Sequence, residues 1–341
     1  MLLSKPDYYD RFRCAAGRCP DSCCKDWDIQ VDDDSARFYR ALQGPLGERL
    51  REVLHTTDGK TTMTIIDGRC PMWRSDGLCR IQAELGESAL CETCRNFPRL
   101  THDYGDFAEL GLELSCPEAA KLILNASPAP PITETRAGGS DPEYDPQIMA
   151  ALKASRETML EILSDESRPV GESLALGLLY GCQVHSELDG GEISPFDAEA
   201  ALETAKAMAA PGNPADIPDF FLGLELLTPQ WEAMLRHPEH GEWSRHHRAL
   251  ARYLTQRYWL QAVSDGDLYC RVKFIVISCL LVKGLGNDIF TTAQLYSKEI
   301  ENDIDNVDAI LDAAYTHPAF TDSRLLGMLL GKNSCRLRPL H

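Results

Sequence analysis

The chain has 341 residues and a formal net charge of −18, with 34 lysine and arginine residues against 52 aspartate and glutamate residues. Binding to a nucleic-acid backbone depends on basic side chains that release counterions, so a charge of this sign predicts no nucleic-acid partner. A chain of this length buries enough apolar surface to fold without disulfide staples, so its thirteen cysteines need another explanation.

The sequence gives no sign of export or of a membrane span. The N-terminal segment MLLSKPDYYDRFRC lacks the apolar stretch of an export signal, and no later segment approaches eighteen uninterrupted apolar residues. We therefore expect a cytoplasmic protein. In a reducing compartment, closely spaced cysteines are usually metal ligands or redox groups, because structural disulfides do not persist there.

The composition along the chain predicts a mainly α protein in three parts. Residues 1–126 are predicted to form a cysteine-rich metal-binding module with little β structure. Residues 127–147, SPAPPITETRAGGSDPEYDPQ, are predicted to be a linker, because proline, glycine and acidic residues disfavour regular structure. Residues 148–341 are predicted to form an α-helical bundle domain.

Three segments of the first part show a structural pattern. SARFYRALQGPLGERLREVL has apolar residues at helical spacing around a Gly-Pro interruption. Residues 61–66, TTMTII, are rich in threonine and isoleucine and predict a strand that presents Cys70. IQAELGESALCETCRNF predicts a helix that ends before Pro98 and places Cys91 and Cys94 one turn apart.

After the linker, eight segments have the spacing of successive amphipathic helices. They are QIMAALKASRETMLEILSDE, ESLALGLLYGCQVHSEL, DAEAALETAKAMAA, FFLGLELLTPQWEAMLRH, HHRALARYLTQRYWLQAV, DLYCRVKFIVISCLLVKGL, SKEIENDIDNVDAILDAAYT and DSRLLGMLLGK. The most apolar, DLYCRVKFIVISCLLVKGL, predicts the central buried helix, since Arg271 and Lys273 interrupt it too much for a membrane span. We interpret KGLGND, residues 283–288, as the end of that helix and not as a nucleotide-binding turn.

Nine of the thirteen cysteines lie in the first third of the chain, in the segments CAAGRCPDSCCKDWDI, CPMWRSDGLC, CETC and SCPEAA. Thiolates spaced by a few residues on irregular backbone can converge on one metal or cluster, because the chain wraps around it with N–H groups directed at the sulfurs. The sequence therefore predicts a cysteine-ligated centre. The remaining cysteines are expected to pack as small apolar side chains: Cys182, Cys270, Cys279 and Cys335.

The spacing says less about which metal is bound. A zinc ribbon needs two C-x2-C pairs and only Cys91 and Cys94 form one, so an iron–sulfur cluster is favoured and zinc is the alternative. The C-x3-C-x2-C loop of radical enzymes is excluded, because its third ligand would fall at Asp26. Neighbouring Cys23 and Cys24 cannot easily direct both side chains to one place, which leaves two metal sites open.

The ordered motifs CAAGRCPDSCCKDWDI, CPMWRSDGLCRIQAELGESAL, TCRNFPRL and LELSCPEAAKLIL resemble those of the flagellin lysine-N-methylase family. The resemblance is close over the N-terminal third and looser over the helical remainder. It implies a methyltransferase that uses S-adenosylmethionine to methylate lysine ε-amines of flagellin in the cytosol, with a [4Fe-4S] cluster held by the cysteine motif. It implies eight cysteine ligands and leaves Cys91 outside the motif: Cys14, Cys19, Cys23, Cys24, Cys70, Cys79, Cys94 and Cys116.

A smaller family of cysteine-cluster proteins, thought to chelate zinc or iron, has a related layout. The alternative function is therefore a non-catalytic zinc- or iron-binding protein or a redox sensor. A redox sensor would also hold a coloured cluster, so S-adenosylmethionine binding and methyl transfer are the properties that separate it from a methyltransferase.

The donor site is not marked by a glycine-rich turn. One hypothesis is that S-adenosylmethionine occupies an open coordination position on the cluster, with Arg95 or Arg99 pairing with its carboxylate. In the alternative, these arginines pair with local acids or cover the cluster. Trp27 and Trp73 lie beside ligand candidates, where they would shield a cluster from water or fill the core. The sequence identifies no catalytic base.

Overall fold

A computed structural model of the chain describes residues 1–25, 29–286 and 288–332. The predictions for Trp27 and Cys335 therefore lie outside the described residues, as does Asn287 in the segment KGLGND. Helix predominates over strand in the described ranges, which confirms the prediction of a mainly α protein. None of the described helices has the length and apolarity that a membrane crossing requires.

The described strands form two small sheets. They are β1 (Leu2–Lys5), β2 (Ile29–Val31), β3 (Leu54–Thr57), β4 (Lys60–Met63), β5 (Arg99–Asp103), β6 (Phe107–Leu112) and β7 (Ile132–Thr135). The first sheet has the order β5-β6-β1-β7, with β1 parallel to β6 and antiparallel to β7. The second sheet has the order β2-β4-β3 and is antiparallel throughout.

Strand β7 lies within the segment predicted to be a linker. Its sequence, ITET, contains the β-branched residues that suit a strand, and it pairs with all four residues of β1. Part of the predicted linker therefore belongs to the first sheet.

The helices follow in chain order. They are α1 (Asp33–Ala41), α2 (Gly44–Val53), α3 (Arg80–Leu85), α4 (Glu92–Asn96), α5 (Pro117–Leu124), α6 (Pro146–Ser164), α7 (Val170–Glu187), α8 (Ala198–Met208), α9 (Asp216–Phe221), α10 (Pro229–Arg236), α11 (Arg245–Tyr258), α12 (Leu268–Leu285), α13 (Ile289–Tyr296), α14 (Ile304–Thr316) and α15 (Asp322–Leu329). A π-helix, Ser297–Glu301, lies between α13 and α14.

Three segments predicted as single helices are each divided in two. The helix predicted around Cys91 becomes α3 and α4, because Gly86 adopts a φ of +88° that ends α3. The segment FFLGLELLTPQWEAMLRH is split between α9 and α10, where the Thr228 side chain caps the new helix. The segment from Ser297 is split between the π-helix and α14, which Asp303 caps. In the second and third of these segments, a capping side chain starts a new helix within a stretch whose apolar residues keep helical spacing.

Within the described ranges, the buried apolar side chains form two separate cores. The larger core is built around α12, which is buried along most of its length and packs against α7, α11 and α14. This confirms the predicted central helix. The smaller core lies in the N-terminal module between the second sheet and α1, α2 and α3, and it includes Cys70 and Cys91.

The larger core encloses a charged network. Glu301 accepts hydrogen bonds from the hydroxyls of Tyr253 at 3.3 Å and Tyr258 at 3.1 Å. Its Oε1 also lies 3.3 Å from Nε of Arg257. Nη1 of the same arginine donates to the Tyr253 hydroxyl at 2.7 Å. Each buried charge therefore has an opposite charge and hydrogen bonds, as burial in a low-dielectric interior requires.

His247 makes the larger core sensitive to acid. It is only 3% exposed, and its Nδ1 accepts a hydrogen bond from the Ser244 N–H at 3.1 Å. Burial lowers its pKa from 6.5 to about 4. The unfolded chain therefore binds the proton first, so the contribution of His247 is fully present above pH 6.5 and is lost as the pH falls towards 4. We expect that loss to be about 3 kcal/mol of unfolding free energy.

The variant His247→Gln tests this expectation. Glutamine can accept from the Ser244 N–H, as it does at the third position of a capping box, but it does not titrate. Urea unfolding measured between pH 6.5 and 4 should depend less on pH in this variant than in the wild type. His237→Gln, which changes an exposed histidine, is the control. If the unfolding free energies of the wild type, His247→Gln and His237→Gln depend equally on pH, His247 does not cause the loss of stability in acid.

Candidate metal centre

Five of the front cysteines lie against the smaller core, and we call them the second cysteine group. They are Cys24, Cys70, Cys79, Cys91 and Cys94. The Cys70 N–H donates to the Cys24 carbonyl at 2.6 Å, which holds these two residues side by side. Cys79 immediately precedes α3, and Cys91 immediately precedes α4, in which Cys94 is the third residue. Cys91, which falls outside the family motif, is thus brought into this group.

The other four front cysteines do not pack against the smaller core, and we call them the first cysteine group. They are Cys14, Cys19, Cys23 and Cys116. The first three lie on loops near two short 3-10 helices, and Cys116 immediately precedes α5. The pKa of Cys116 is raised to about 11, mainly by burial, and the neighbouring thiols of Cys19 and Cys14 contribute to the rise. These thiols are therefore close enough to interact.

Backbone N–H groups are directed at several of these sulfurs. The Ala16 N–H donates to Cys14 Sγ at 3.3 Å. At four other cysteines burial raises the thiol pKa, and the N–H groups of residues two or three positions further along lower it. These N–H groups belong to Asp21 for Cys19, Met72 for Cys70, Ile81 and Gln82 for Cys79, and Glu118 and Ala119 for Cys116. Such groups stabilise the charge of a thiolate, as they do around cluster ligands.

The cysteines of the helical domain have different surroundings. Burial raises the pKa of Cys182 to about 12, with smaller effects from charged side chains, and burial alone raises that of Cys279. The Cys270 thiol donates to the Asp267 carbonyl at 3.6 Å. These three residues behave as packed thiols, which supports the separation of the front cysteines from the remainder.

The two cysteine groups meet at Cys23 and Cys24. The hydrogen bond between their thiols lowers the pKa of Cys24 to about 7 and raises that of Cys23. Cys24 packs against the smaller core, whereas Cys23 is exposed and lines a cavity. A lowered thiol pKa favours the thiolate, which is the form that binds metal.

The donor set is sulfur, and all twelve cysteines in the described part of the chain are free thiols. Soft thiolate ligands with N–H partners suit an iron–sulfur cluster and also suit zinc. Among the described residues, no three histidine, cysteine, aspartate or glutamate side chains lie close enough together to hold a single metal ion. The chemistry of the sulfur donors suits a thiolate-bound metal, whereas the side chains of the described residues are not arranged as a metal site.

A cavity of about 540 Å³ lies where the cysteine module meets the helical domain, and we call it the junction cavity. Cys23 and Phe97 line it on the module side. The π-helix lines it on the opposite side with Lys298 and Glu299. Helical turns of this kind are rare and are often found at functional sites. A cavity of this size accommodates a ligand as large as a nucleoside derivative.

The junction cavity has an excess of negative charge. Five acidic residues and two basic residues, Arg99 and Lys298, line it, and the acidic residues are Asp21, Glu113, Glu225, Glu299 and Asp303. One of the cations is paired, since Lys298 Nζ lies 3.5 Å from Asp21 Oδ2. The lining therefore favours a ligand that carries positive charge. No local sequence motif marks the residues of the helical domain that contribute to it.

The structure separates the two arginines predicted for the donor site. Arg99 lines the junction cavity, and its guanidinium lies 5.3 Å from the ring centroid of Phe12. Arg95 is exposed on α4, and it is not among the described residues that line the cavity. Trp73 lies beside Cys79 through a short antiparallel bridge and stacks on the Arg69 guanidinium at 4.4 Å.

Comparison with known proteins supplies the family. The chain is 32% identical over 141 residues to the lysine-N-methylases of Salmonella typhimurium and Salmonella choleraesuis, and the matches cover 39% of this chain and 35% of each relative. It is 32% identical over 132 residues to the flagellar biosynthetic protein FliU of Salmonella muenchen, which covers 37% of this chain and 78% of that protein. No family model and no solved structure matches the chain.

The fold and the thiol groups define a helical protein with a cysteine-rich N-terminal module. The chain belongs to the flagellin lysine-N-methylase family, which confirms the resemblance seen in its motifs. Its match spans about a third of the length of the two lysine-N-methylases.

Proposed function

We propose that the protein is an S-adenosylmethionine-dependent protein lysine N-methyltransferase that requires a cysteine-ligated [4Fe-4S] cluster. The observation that carries the proposal is the set of front thiols with N–H groups directed at them, in a chain related to proteins named lysine-N-methylase. The relative named as a flagellar biosynthetic protein supports flagellin as the substrate. A cytoplasmic location suits free thiols, which persist in reducing compartments.

The proposed ligands are drawn from the eight cysteines of the family motif, because a [4Fe-4S] cluster takes at most four thiolates. These eight are Cys14, Cys19, Cys23, Cys24, Cys70, Cys79, Cys94 and Cys116. When bound, a cluster supplies an iron site with an open position for the amino acid end of the donor. Cys23 lines the junction cavity, so this cavity is the place where such a site would meet a substrate. Arg99, in the same lining, is positioned to pair with a carboxylate.

The junction cavity suits the acceptor lysine. Its carboxylates attract the ammonium group, which must pass a proton to one of these carboxylates or to water before nitrogen can attack the methyl group. The N–CH3 bond then forms as the S–CH3 bond of the donor breaks, leaving a neutral thioether. Glu299 is held in place by hydrogen bonds from the Leu227 N–H at 2.7 Å and from the Thr228 hydroxyl, so the position of its carboxyl group is fixed at the cavity. When the charged groups and the two reactants are already held in position, less entropy is lost in reaching the transition state.

The second candidate is a non-catalytic zinc- or iron-binding protein or a redox sensor. It is favoured by the sulfur donor set, which suits zinc as well as iron, and by the contact between the thiols of Cys91 and Cys94.

One experiment separates these functions. The full chain is purified without oxygen, analysed for metal and colour, and tested for S-adenosylmethionine binding by calorimetry and for methyl transfer to a lysine peptide. We expect a brown protein that binds the donor and methylates the peptide. A colourless protein with stoichiometric zinc would instead support metal binding alone. A coloured protein that neither binds the donor nor methylates the peptide would support a redox sensor.

A further inference from the structure

We propose that two exposed apolar side chains beside the junction cavity, Leu227 and Ile304, select the protein segment that enters it. The segment that they select has a lysine with a large apolar side chain as its close neighbour in the sequence. We call these two residues the apolar rim. This inference rests on the acceptor lysine of the proposed function, and it adds the kind of sequence in which that lysine lies.

The apolar rim lies at the cavity. Leu227 is one of the lining residues, and Ile304 directly follows Asp303, which also lines the cavity. Ile304 is 69% exposed, more than any other large apolar side chain in the described part of the chain, and Leu227 is 42% exposed. Both therefore present apolar surface to water next to the proposed substrate site, and a bound partner would cover that surface.

The apolar rim occupies positions that face solvent. Between α9 and α10, Leu224 and Leu226 pack against the larger core, whereas Glu225 and Leu227 are exposed. Leu227 thus occupies an outward position of an alternating segment. Ile304, in the first turn of α14, lies outside the buried side of that helix. Polar side chains are the ordinary choice at outward positions, so the two apolar residues are exceptions to the local pattern.

Buried hydrogen bonds hold the rim in place. The Leu227 N–H donates to Glu299 Oε2 at 2.7 Å, and the Glu225 N–H donates to Asn306 Oδ1 at 3.0 Å. Nδ2 of the buried Asn306 donates to the carbonyls of Glu225 at 3.0 Å and Glu299 at 2.9 Å. Asn306 lies two residues after Ile304. One cluster therefore joins both rim segments, so little conformational entropy is lost when a partner binds there.

The charges around the rim favour a basic partner. Glu225 lies two positions before Leu227, and Asp303 and Asp305 flank Ile304. The cavity lining adds an excess of acidic residues. A second copy of this chain, with its net charge of −18, would bring further negative charge to this surface and is disfavoured. The occupant that suits both the charge and the apolar rim is a protein segment with a lysine beside an apolar side chain.

Peptide binding to the full chain, purified without oxygen, tests the rim without requiring methyl transfer. Two fluorescent peptides contain a central lysine, one with leucine on each side of it and the other with serine, and anisotropy measures their affinities. We expect the wild type to bind the leucine peptide about 10-fold more tightly. Ile304→Ser and Leu227→Ser should each reduce this preference to about 3-fold or less. Glutamine in place of the lysine should weaken the binding of both peptides, because the acidic lining then attracts no cation.

Ile132→Ser is the matched control and should keep the full preference. It makes the same chemical change on β7, at a side chain that is 45% exposed and is not among the described residues that line the cavity. Equal affinities of the wild type for the two peptides, or a preference that Ile304→Ser leaves unchanged, would overturn the proposal. A wild-type dimer in sedimentation that Ile304→Ser dissociates would also overturn it, since a second copy would then cover the rim.

Methyl transfer to the same peptides separates this inference from the proposed function. An apolar contact away from the reacting atoms acts equally on the bound substrate and on the transition state, so the leucine peptide should have the lower KM and the same kcat. Selective binding without methyl transfer would refute the proposed function and leave the apolar rim established. Methyl transfer with equal KM for both peptides would support the function and overturn the rim.

Discussion

Replacing Cys23 by serine is expected to reduce the rate of methyl transfer by about 100-fold or more. Serine is similar in size to cysteine, but its hydroxyl is a poor ligand for the soft metal sites that thiolates select. Among the cysteines that the structure describes, Cys23 alone lines the junction cavity, so its loss removes the proposed ligand nearest to the substrate. The measurement is the initial rate of lysine methylation with saturating donor, using protein reconstituted in the same way for each variant.

Cys182→Ser is the matched control for this variant, because it makes the same chemical change in α7 and outside both cysteine groups. It should methylate at the wild-type rate. If Cys23→Ser also retains the wild-type rate, Cys23 has no part in the reaction and the junction cavity loses its connection to the metal.

Replacing Glu301 by glutamine is expected to lower the free energy of unfolding by about 3–5 kcal/mol. The Glu301 side chain is 0% exposed, and that of its partner Arg257 is 11% exposed. Glutamine has nearly the same shape, but its single carbonyl oxygen can accept from only one of the Tyr253 and Tyr258 hydroxyls, which bond to different oxygens of Glu301. The loss is therefore mainly the cost of leaving the Arg257 guanidinium buried without its ion-pair partner, with one lost hydrogen bond added. Urea unfolding at neutral pH measures it.

Glu232→Gln provides the comparison. Glu232 pairs with Arg236 at 2.7 Å on the surface of α10, where their side chains are 41% and 57% exposed. An exposed pair of this kind contributes about 0–1 kcal/mol. Similar unfolding free energies for the two glutamine variants would show that the buried network does not stabilise the larger core in the way described.

Elements whose pattern is local were predicted well from the sequence. The apolar run of α12 predicted a buried helix, and the Gly-Pro interruption predicted the break between α1 and α2, which Leu42 and Gln43 form. The spacing of apolar residues was not sufficient where a single residue determines that a helix ends or begins. Gly86 ends α3 through its positive φ, and the Thr228 cap starts α10, so one predicted helix became two in both cases.

The sequence predicted which cysteines are candidate metal ligands, but it did not predict the residues that line the cavity beside them. Short spacings and the neighbouring Pro, Gly and Asp residues indicated which cysteines were candidate ligands, and the adjacency of Cys23 and Cys24 left two sites open. The junction cavity had no such signal, because Glu225, Lys298 and Glu299 are about two hundred residues or more from Cys23. Only the packing of the helical domain against the module brings them together.

The most direct test of the proposed function follows a labelled methyl group. Reconstituted protein is incubated without oxygen with methyl-labelled S-adenosylmethionine and flagellin, and the flagellin is then digested and analysed by mass spectrometry. Label should appear on lysine ε-nitrogens with the iron-loaded protein and should be absent with protein from which iron has been removed by chelation. Equal labelling by the iron-free protein, or no labelling by protein with its full iron content, would contradict a metal-dependent lysine methyltransferase.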